Sequence, residues 1–459
     1  MRGKNGCVEG NCERVETEPR QPLPDDLVLE IVVRCAAIAT IIRCAATGKP
    51  IRRGILNAPF LRRLRRLLDR NDGHDARHFF LPPLLLGLYH QAEDPRRPPA
   101  FARAAGGAAN YPASVAALPP APDLGAADGS AACDFGTYKP VASRGSLLVL
   151  RRRCKTGARQ DDHLVERHGL HPVELSVCNP MTGERRVLPP NDVCDVSHAL
   201  LDVDPLAPSS SSSFKLLVAD LSCSSPRTLF VQVFSSEQGE WGPAMASPVR
   251  RSCEFLLGAG SPRPLVLGGA VHWLCSTRQG NRVITWPWRG EPAPHEAVSL
   301  ARLPGPCESS TAEEMCLAMQ PSAAGSSRRA LLSVIVASQG SIQVWVREES
   351  GNGGDRRFLW TRRRRIEEAN VARPMDVGDR WLRGAEVSCF CEGSGAVLLR
   401  RPGDGAMSMS PLLLDLDGMA ASKLQTTDRE LELHPEPGFW FCPYEVDLLS
   451  YMLFAMRSL

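Results

Sequence analysis

The chain has 459 residues, 43% hydrophobic and 23% charged, which exceeds the size at which single cores stop growing and excludes the disordered and fibrous classes. A formal net charge of +3 over that length announces neither a nucleic-acid nor an anionic-membrane partner for the molecule as a whole. Sixteen cysteines accompany an N-terminus, MRGKNGCVEGNCERVETEPR, that has no apolar signal core, and no Asn stands two positions before Ser or Thr; the thiols read as free, in a cytoplasmic or nuclear setting.

Residues 1–19 read as a disordered tail. Residues 20–66 carry apolar side chains at helical spacing: Leu27, Ile31 and Cys35 on one stripe, then Ile38, Ile41, Ile42 and Ala45, then Ile51 and Ile55. Asp25 and Asp26 follow Leu23 and Pro24, so the first helix starts near Asp25 with carboxylates at its positive end. Gly48 and Pro50 stop the second helix, because Gly suits a helix C-terminus and Pro cannot extend the hydrogen-bond ladder. Residues 67–91 read as a helical or extended connector. Its longest apolar run, Phe79 to Tyr89, contains Pro82 and Pro83 and is far short of the ~20 residues a membrane span needs. Residues 92–132, dominated by Ala, Pro and Gly, read as a linker with little to bury.

Residues 133–459 change texture to short β-type runs separated by Gly, Pro and Asn turns. The runs are Gly145–Leu150, Glu174–Pro180, Phe214–Asp220, Thr228–Ser236, Pro264–Cys275, Val283–Trp288, Ala330–Ala337, Ser341–Arg347 and Ala396–Arg401. Ser209 to Ser213 and Ser350 to Asp355 read as loop tips, and all eight Trp lie after residue 240, in this region. The expected class is α+β multidomain: a small N-terminal helical module followed by a large all-β domain, for which a propeller built of four-stranded units is the architecture that suits the series.

The segment LPDDLVLEIVVRCAAIATIIRCAATGKPIRRGILNAPFLRRL resembles a plant F-box, in which Leu-Pro and an acidic residue open the first helix. Leu23, Pro24, Asp25, Leu27, Ile31, Arg43, Cys44, Lys49, Arg52, Phe60 and Leu61 stand in the matching places. Thr47, Gly48 and Ile51 depart from it, where the family has a Val-Cys pair before the Lys and a Trp after it. Patches at Leu84–Gln91, Ser143–Arg152, Val177–Pro190, Leu267–Cys275 and Tyr444–Leu449 are similar to the domain of unknown function that accompanies many grass F-box proteins. The resemblance implies a substrate receptor of a Skp-cullin-F-box ubiquitin ligase. Leu23, Pro24, Leu27, Ile31 and Ile41 would contact a Skp-type adaptor and through it a cullin, while the β domain would hold an unidentified target protein. The rival reading is a β-domain interaction protein outside any ligase, nucleic-acid-associated, whose F-box is degenerate.

No residues stand out for catalysis, for a cofactor or for a metal. His163, His168 and His171 lack the spacing of zinc ligands, and Cys7 with Cys12, or Cys389 with Cys391, make no ligand quartet. On alternating strand positions Cys389 and Cys391 would face one side of a sheet as small hydrophobes. Nucleophile-elbow, P-loop and dinucleotide fingerprints are missing, so the chain is expected not to be an enzyme. Arg62, Arg63, Arg65, Arg66 and Arg70, and the run Arg362 to Arg365, read as solvated basic surface, the second also as a weak nuclear-import signal. Neither a membrane nor a nucleic acid is the expected partner.

Overall fold

The computed structural model describes residues 23–35, 38–57, 59–64, 80, 84–91, 99–104, 115, 138–152, 174–193, 197–204, 213–221, 227–249, 252–256, 263–289, 298–322, 330–338, 340–350, 357–374, 381–401, 409–425, 440–447 and 450–451. The tail at 1–19, Cys7, Cys12, Arg65, Arg66, Arg70, the histidines 163, 168 and 171, and most of the two loop tips lie outside the described residues. The chain divides into two compact units, a helical one within 1–70 and a β one over 71–454.

In the helical unit, α1 (Asp25–Cys35) opens on Asp25 and Asp26, and the Pro24 carbonyl accepts from the amides of Leu27 and Val28 at 3.0 and 3.1 Å. The second helix, α2 (Ile38–Thr47), ends where Gly48 takes an extended conformation, and α3 (Lys49–Ile55) begins with Pro50 in its first turn, where a missing N–H costs nothing. Residues 59–64 are helical as well. Val32, Val33, Ile41, Ala45, Ile55, Leu61 and Leu64 form the interior of this unit. Gly54 allows α3 to close on α1, since a Cβ there would lie 2.5 Å from Leu29.

The β unit consists of six antiparallel sheets. One contains β1 (Leu85–Gln91) and β2 (Ala100–Arg103), and the next contains β3 (Tyr138–Arg144), β4 (Leu147–Arg152), β5 (Glu174–Asn179) and β6 (Glu184–Val187). A third contains β7 (Ser197–Asp204), β8 (Ser213–Asp220), β9 (Thr228–Ser235), β10 (Glu240–Trp241) and β11 (Met245–Pro248). The fourth runs through β12 (Cys253–Phe255), β13 (Leu265–Leu267), β14 (Ala270–Thr277), β15 (Gly280–Pro287) and β16 (Ser299–Arg302). The fifth has β17 (Met315–Pro321), β18 (Ala330–Ser338), β19 (Ser341–Ser350) and β20 (Arg357–Glu367), and the sixth has β21 (Glu386–Phe390), β22 (Ala396–Arg401), β23 (Met409–Asp415) and β24 (Ala420–Lys423). The last strand, β25 (Trp440–Glu445), returns to the first sheet and pairs with β1 from Leu85↔Glu445 to Gln91↔Trp440.

The strands that open the sheets contact one another in succession: β25 with β3, β3 with β7, β7 with β13, β13 with β17, β17 with β21, and β21 with β25. That succession closes on itself, so the architecture is a six-bladed β-propeller whose ring is sealed by the C-terminal strand. Its core lies between blades. Leu147 and Val149 of β4 pack toward the third sheet, and Leu148 and Leu150 toward the first; in β8, Leu216 and Val218 face one neighbour and Leu217 and Ala219 the other. Middle strands therefore bury apolar side chains on both faces.

Two sequence assignments need correction. The connector at 67–91 and the linker at 92–132 contain β1 and β2, so the β unit begins well before residue 133. The reason is closure: β1 supplies the strand against which β25 pairs, and its Leu85, Leu86, Leu88 and Tyr89 are buried between two neighbouring blades. The run Pro264–Cys275 is likewise two strands, because Gly268 and Gly269, with φ of 61° and 78°, form the tight turn between β13 and β14. No helix among the described residues is long and apolar enough to cross a membrane.

Candidate functional site

Leu23, Leu27 and Ile31 are 58%, 51% and 52% exposed, an unusual state for large apolar side chains in a unit whose other leucines and isoleucines are mostly sequestered. Leu27 and Ile31 lie four residues apart, on one face of α1, and Leu23 precedes them by another four just ahead of the helix. Pro24, exposed beside them, fixes the entry of the chain into the helix. The next positions, Val32 and Val33, turn inward at 3% and 1% exposure. α1 is thus apolar on two faces, one used by the unit itself and one presented outward.

Ile41 does not join that surface. It is fully buried in the helical unit, so the expectation that it contacts an adaptor is corrected: with Ala45 of the same helix it serves the unit's own packing. Glu30, three residues along α1 from Leu27, accepts from Arg34 Nε at 2.7 Å and from Arg63, whose Nη2 lies at 2.6 Å. The Arg63 hydrogen bonds hold the Glu30 carboxyl below the usual carboxylate range, so residues 59–64 are tied to α1 by an ionised pair. Arg63, read from sequence as solvated surface, has this specific partner. The departures from the F-box pattern fall at the α2–α3 junction: the Thr47 hydroxyl donates to the Cys44 carbonyl at 2.7 Å, Gly48 joins the helices and Ile51 is half-buried.

In the propeller the ring strands β17, β21 and β25 each carry a cysteine: Cys316, Cys389 and Cys442. Cys389 and Cys391 are buried and their thiols are hydrogen-bonded, so the two do share a side, as alternation requires. Arg263 donates to the Phe441 carbonyl and to Cys389. The hydrogen bond from Cys391, with Arg263 beside it, holds Cys389 down at about 7; that same hydrogen bond, then burial, raises Cys391, whereas burial pushes Cys442 up to about 12 and raises Cys316. No group of three or more His, Cys, Asp or Glu among the described residues is placed to hold a metal ion. Cys389, Cys391 and Cys442 are buried packing groups, and one guanidinium, that of Arg263, holds Cys389. Sequence reasoning missed Arg263 and the ring; the signal was a Cys in three ring strands, Cys316, Cys389 and Cys442, which becomes legible only when the blades are known.

The family model for a domain described as "Domain of unknown function (DUF7595)" matches residues 113–459, which takes in β3 to β25 and leaves out the helical unit. No curated protein matches the chain. One solved structure to which it is similar comes from a structural and mechanistic analysis of two prolyl endopeptidases, with 11% identity, 64% of this chain covered and a TM-score of 0.26. The match spans about a third of that protein's length, 34%, and at that TM-score it carries no argument about activity.

Proposed function

The chain belongs to that family of unknown function, and from this premise we propose that it is the substrate receptor of a Skp-cullin-F-box ubiquitin ligase. In this reading the helical unit docks on a Skp-type adaptor and the propeller binds the target protein, with no chemistry performed by the chain itself. The observation that carries the reading is the outward apolar face of Leu23, Leu27 and Ile31. Burying such side chains is worth about 1.5–3 kcal/mol each when complete, so the face has several kcal/mol to gain from an apolar groove. The F-box-like sequence around it favours the groove of a Skp-type adaptor. A propeller suits the second role, since its blades hold loops and edges rigidly around a ring.

The test is capture of a purified plant Skp-type adaptor by the full chain, with a double variant, Leu27→Asp and Ile31→Asp, as control. Stoichiometric capture by the native chain and none by the variant is the expected result; equal capture by both would sink the reading. A second reading, a propeller interaction protein with a degenerate F-box, is favoured by Thr47, Gly48 and Ile51 at the α2–α3 junction, and it requires that the native chain capture no adaptor at all.

A further inference from the structure

The fifth blade ends on an edge unlike the others. Its outermost strand, β20, runs for 11 residues, whereas the outermost strands β6, β16 and β24 have 4 each. Short edge strands are the ordinary protection against pairing with another chain, and β20 lacks it. Among the described residues it pairs with β19 alone, and the side chains of Thr361 to Arg365 are exposed. It also carries Phe358 and Leu359, 52% and 55% exposed.

The pairing register sorts the side chains. Leu359, Thr361, Arg364 and Ile366 lie opposite Glu348, Val346, Val344 and Ile342, on one face of the blade. Phe358, Trp360, Arg362 and Arg365 lie opposite Glu349, Arg347, Trp345 and Gln343, on the other, and Arg363 sits at the irregularity between them. Each face therefore has an exposed apolar residue near one end and arginine further along. Arg365 pairs with Glu367 at 2.6 Å and Arg364 approaches Asp417 at 3.7 Å. Among the described residues Arg362 and Arg363 have no carboxylate partner: Arg362 lies 5.9 Å from the Trp345 ring and Arg363 donates to the Pro321 carbonyl at 2.7 Å. Charge that merely blunted the edge would not need two large apolar residues beside it.

We propose that the β20 edge binds an extended acidic peptide segment, which adds to the fifth blade as a further strand. A strand laid along β20 alternates its own side chains between the two faces, so consecutive Asp or Glu residues would meet Arg362 and Arg365 on one side and Arg364 on the other. Apolar residues at one end of the segment would cover Phe358 and Leu359. This inference is independent of adaptor docking, because it concerns a surface of the propeller alone.

The experiment is fluorescence anisotropy of the full chain with labelled peptides of about ten residues, two apolar followed by consecutive Glu and Asp. Controls are a Lys-for-acid version, a version interrupted by Pro and a single-stranded oligonucleotide of similar charge. The acidic peptide is expected to bind, to weaken with salt, and to lose about tenfold or more in affinity to the variant Arg362→Glu/Arg363→Glu. Leu359→Ser should weaken binding separately, and circular dichroism should show both variants folded. The Pro version should fail, since a strand cannot pair where its N–H is missing. Absence of binding, unchanged affinity in the charge-reversed chain, equal binding of the Pro peptide, or tighter binding of the oligonucleotide would each overturn the proposal.

Discussion

His272 shows how much a single buried side chain contributes and under what conditions. Its Nδ1 lies 2.9 Å from the Thr285 hydroxyl and its Nε2 3.4 Å from the Leu267 carbonyl, a pair of partners that suits the neutral ring with a proton on Nε2. Burial lowers its pKa from 6.5 to about 4. The unfolded chain takes up the proton near pH 6.5 and the folded chain only near 4, so stability is full above 6.5 and falls as pH drops through that window. The loss is expected to approach about 3 kcal/mol. Urea unfolding of the propeller at pH 7 and pH 4.5 checks it: the variant His272→Asn should lack this increment of acid sensitivity. In the helical unit the same scale separates two kinds of isoleucine. Ile41→Ala should cost about 2–5 kcal/mol, read as lost hydrogen-exchange protection in α2, because it leaves a cavity in a closed interior. Leu27→Asp and Ile31→Asp should change protection by no more than about 0.5 kcal/mol, because both side chains are half in solvent already.

Among the elements, the β3–β4 turn and β25 are built for each other. Gly145 and Ser146 have φ of 55° and 69°, the pair of positive values that a two-residue hairpin turn demands, and Ser146 adopts this without being glycine. Its strain is offset by partners on the closing segment. Its amide donates to the Glu445 carbonyl at 3.2 Å, its hydroxyl to Asp447 at 3.0 Å, and its carbonyl accepts from the Tyr444 hydroxyl at 3.0 Å. Tyr444→Phe should lower stability by about 1 kcal/mol in denaturant unfolding, since the Ser146 carbonyl loses a buried donor. On the opposite side, Glu445 receives the amides of Gly393 and Ser394 at 2.9 and 2.7 Å, so one strand is fastened to both neighbouring blades. Gly87 is the point of closest approach in β1: a Cβ would lie 2.2 Å from the Ala102 carbonyl oxygen. Gly87→Ala is expected to push β2 off β1 at a cost of about 1–3 kcal/mol, visible as a lowered midpoint in the same assay.

At the scale of the whole β unit, closure rests on sequence-distant pairing: β1 near the start of the unit and β25 at its end form one blade, and neither has another place to bury its apolar faces. Removal of residues 440–459 should therefore abolish the cooperative unfolding transition of the propeller rather than shift it, because the first and sixth blades lose their common interior. Calorimetry of the truncated chain tests this, and a retained sharp transition would contradict it.

The residue pattern by itself determined the elements that see only one kind of neighbour. The amphipathic start at Asp25, the break at Gly48 and Pro50, and the shared stripe of Leu27 and Ile31 follow from local spacing and turn chemistry. The nine apolar runs read from sequence reach β4, β5, β8, β9, β14, β15, β18, β19 and β22, the middle strands, whose two faces are both covered, and one of the runs takes in β13 as well. Ring and rim strands such as β3, β6, β16 and β20 are short, polar or arginine-rich, and their extended conformation is imposed by the neighbour they pair with rather than by their own composition. Blades that begin at Tyr138, Ser197, Cys253, Met315 and Glu386 are also too unevenly spaced to align as a repeat. Only the tertiary structure decided that β1 and β2 belong to the propeller, that Ile41 is interior and that the arginines of β20 line an open edge. Each of these depends on which distant segment lies alongside, and no local pattern of residues contains that information.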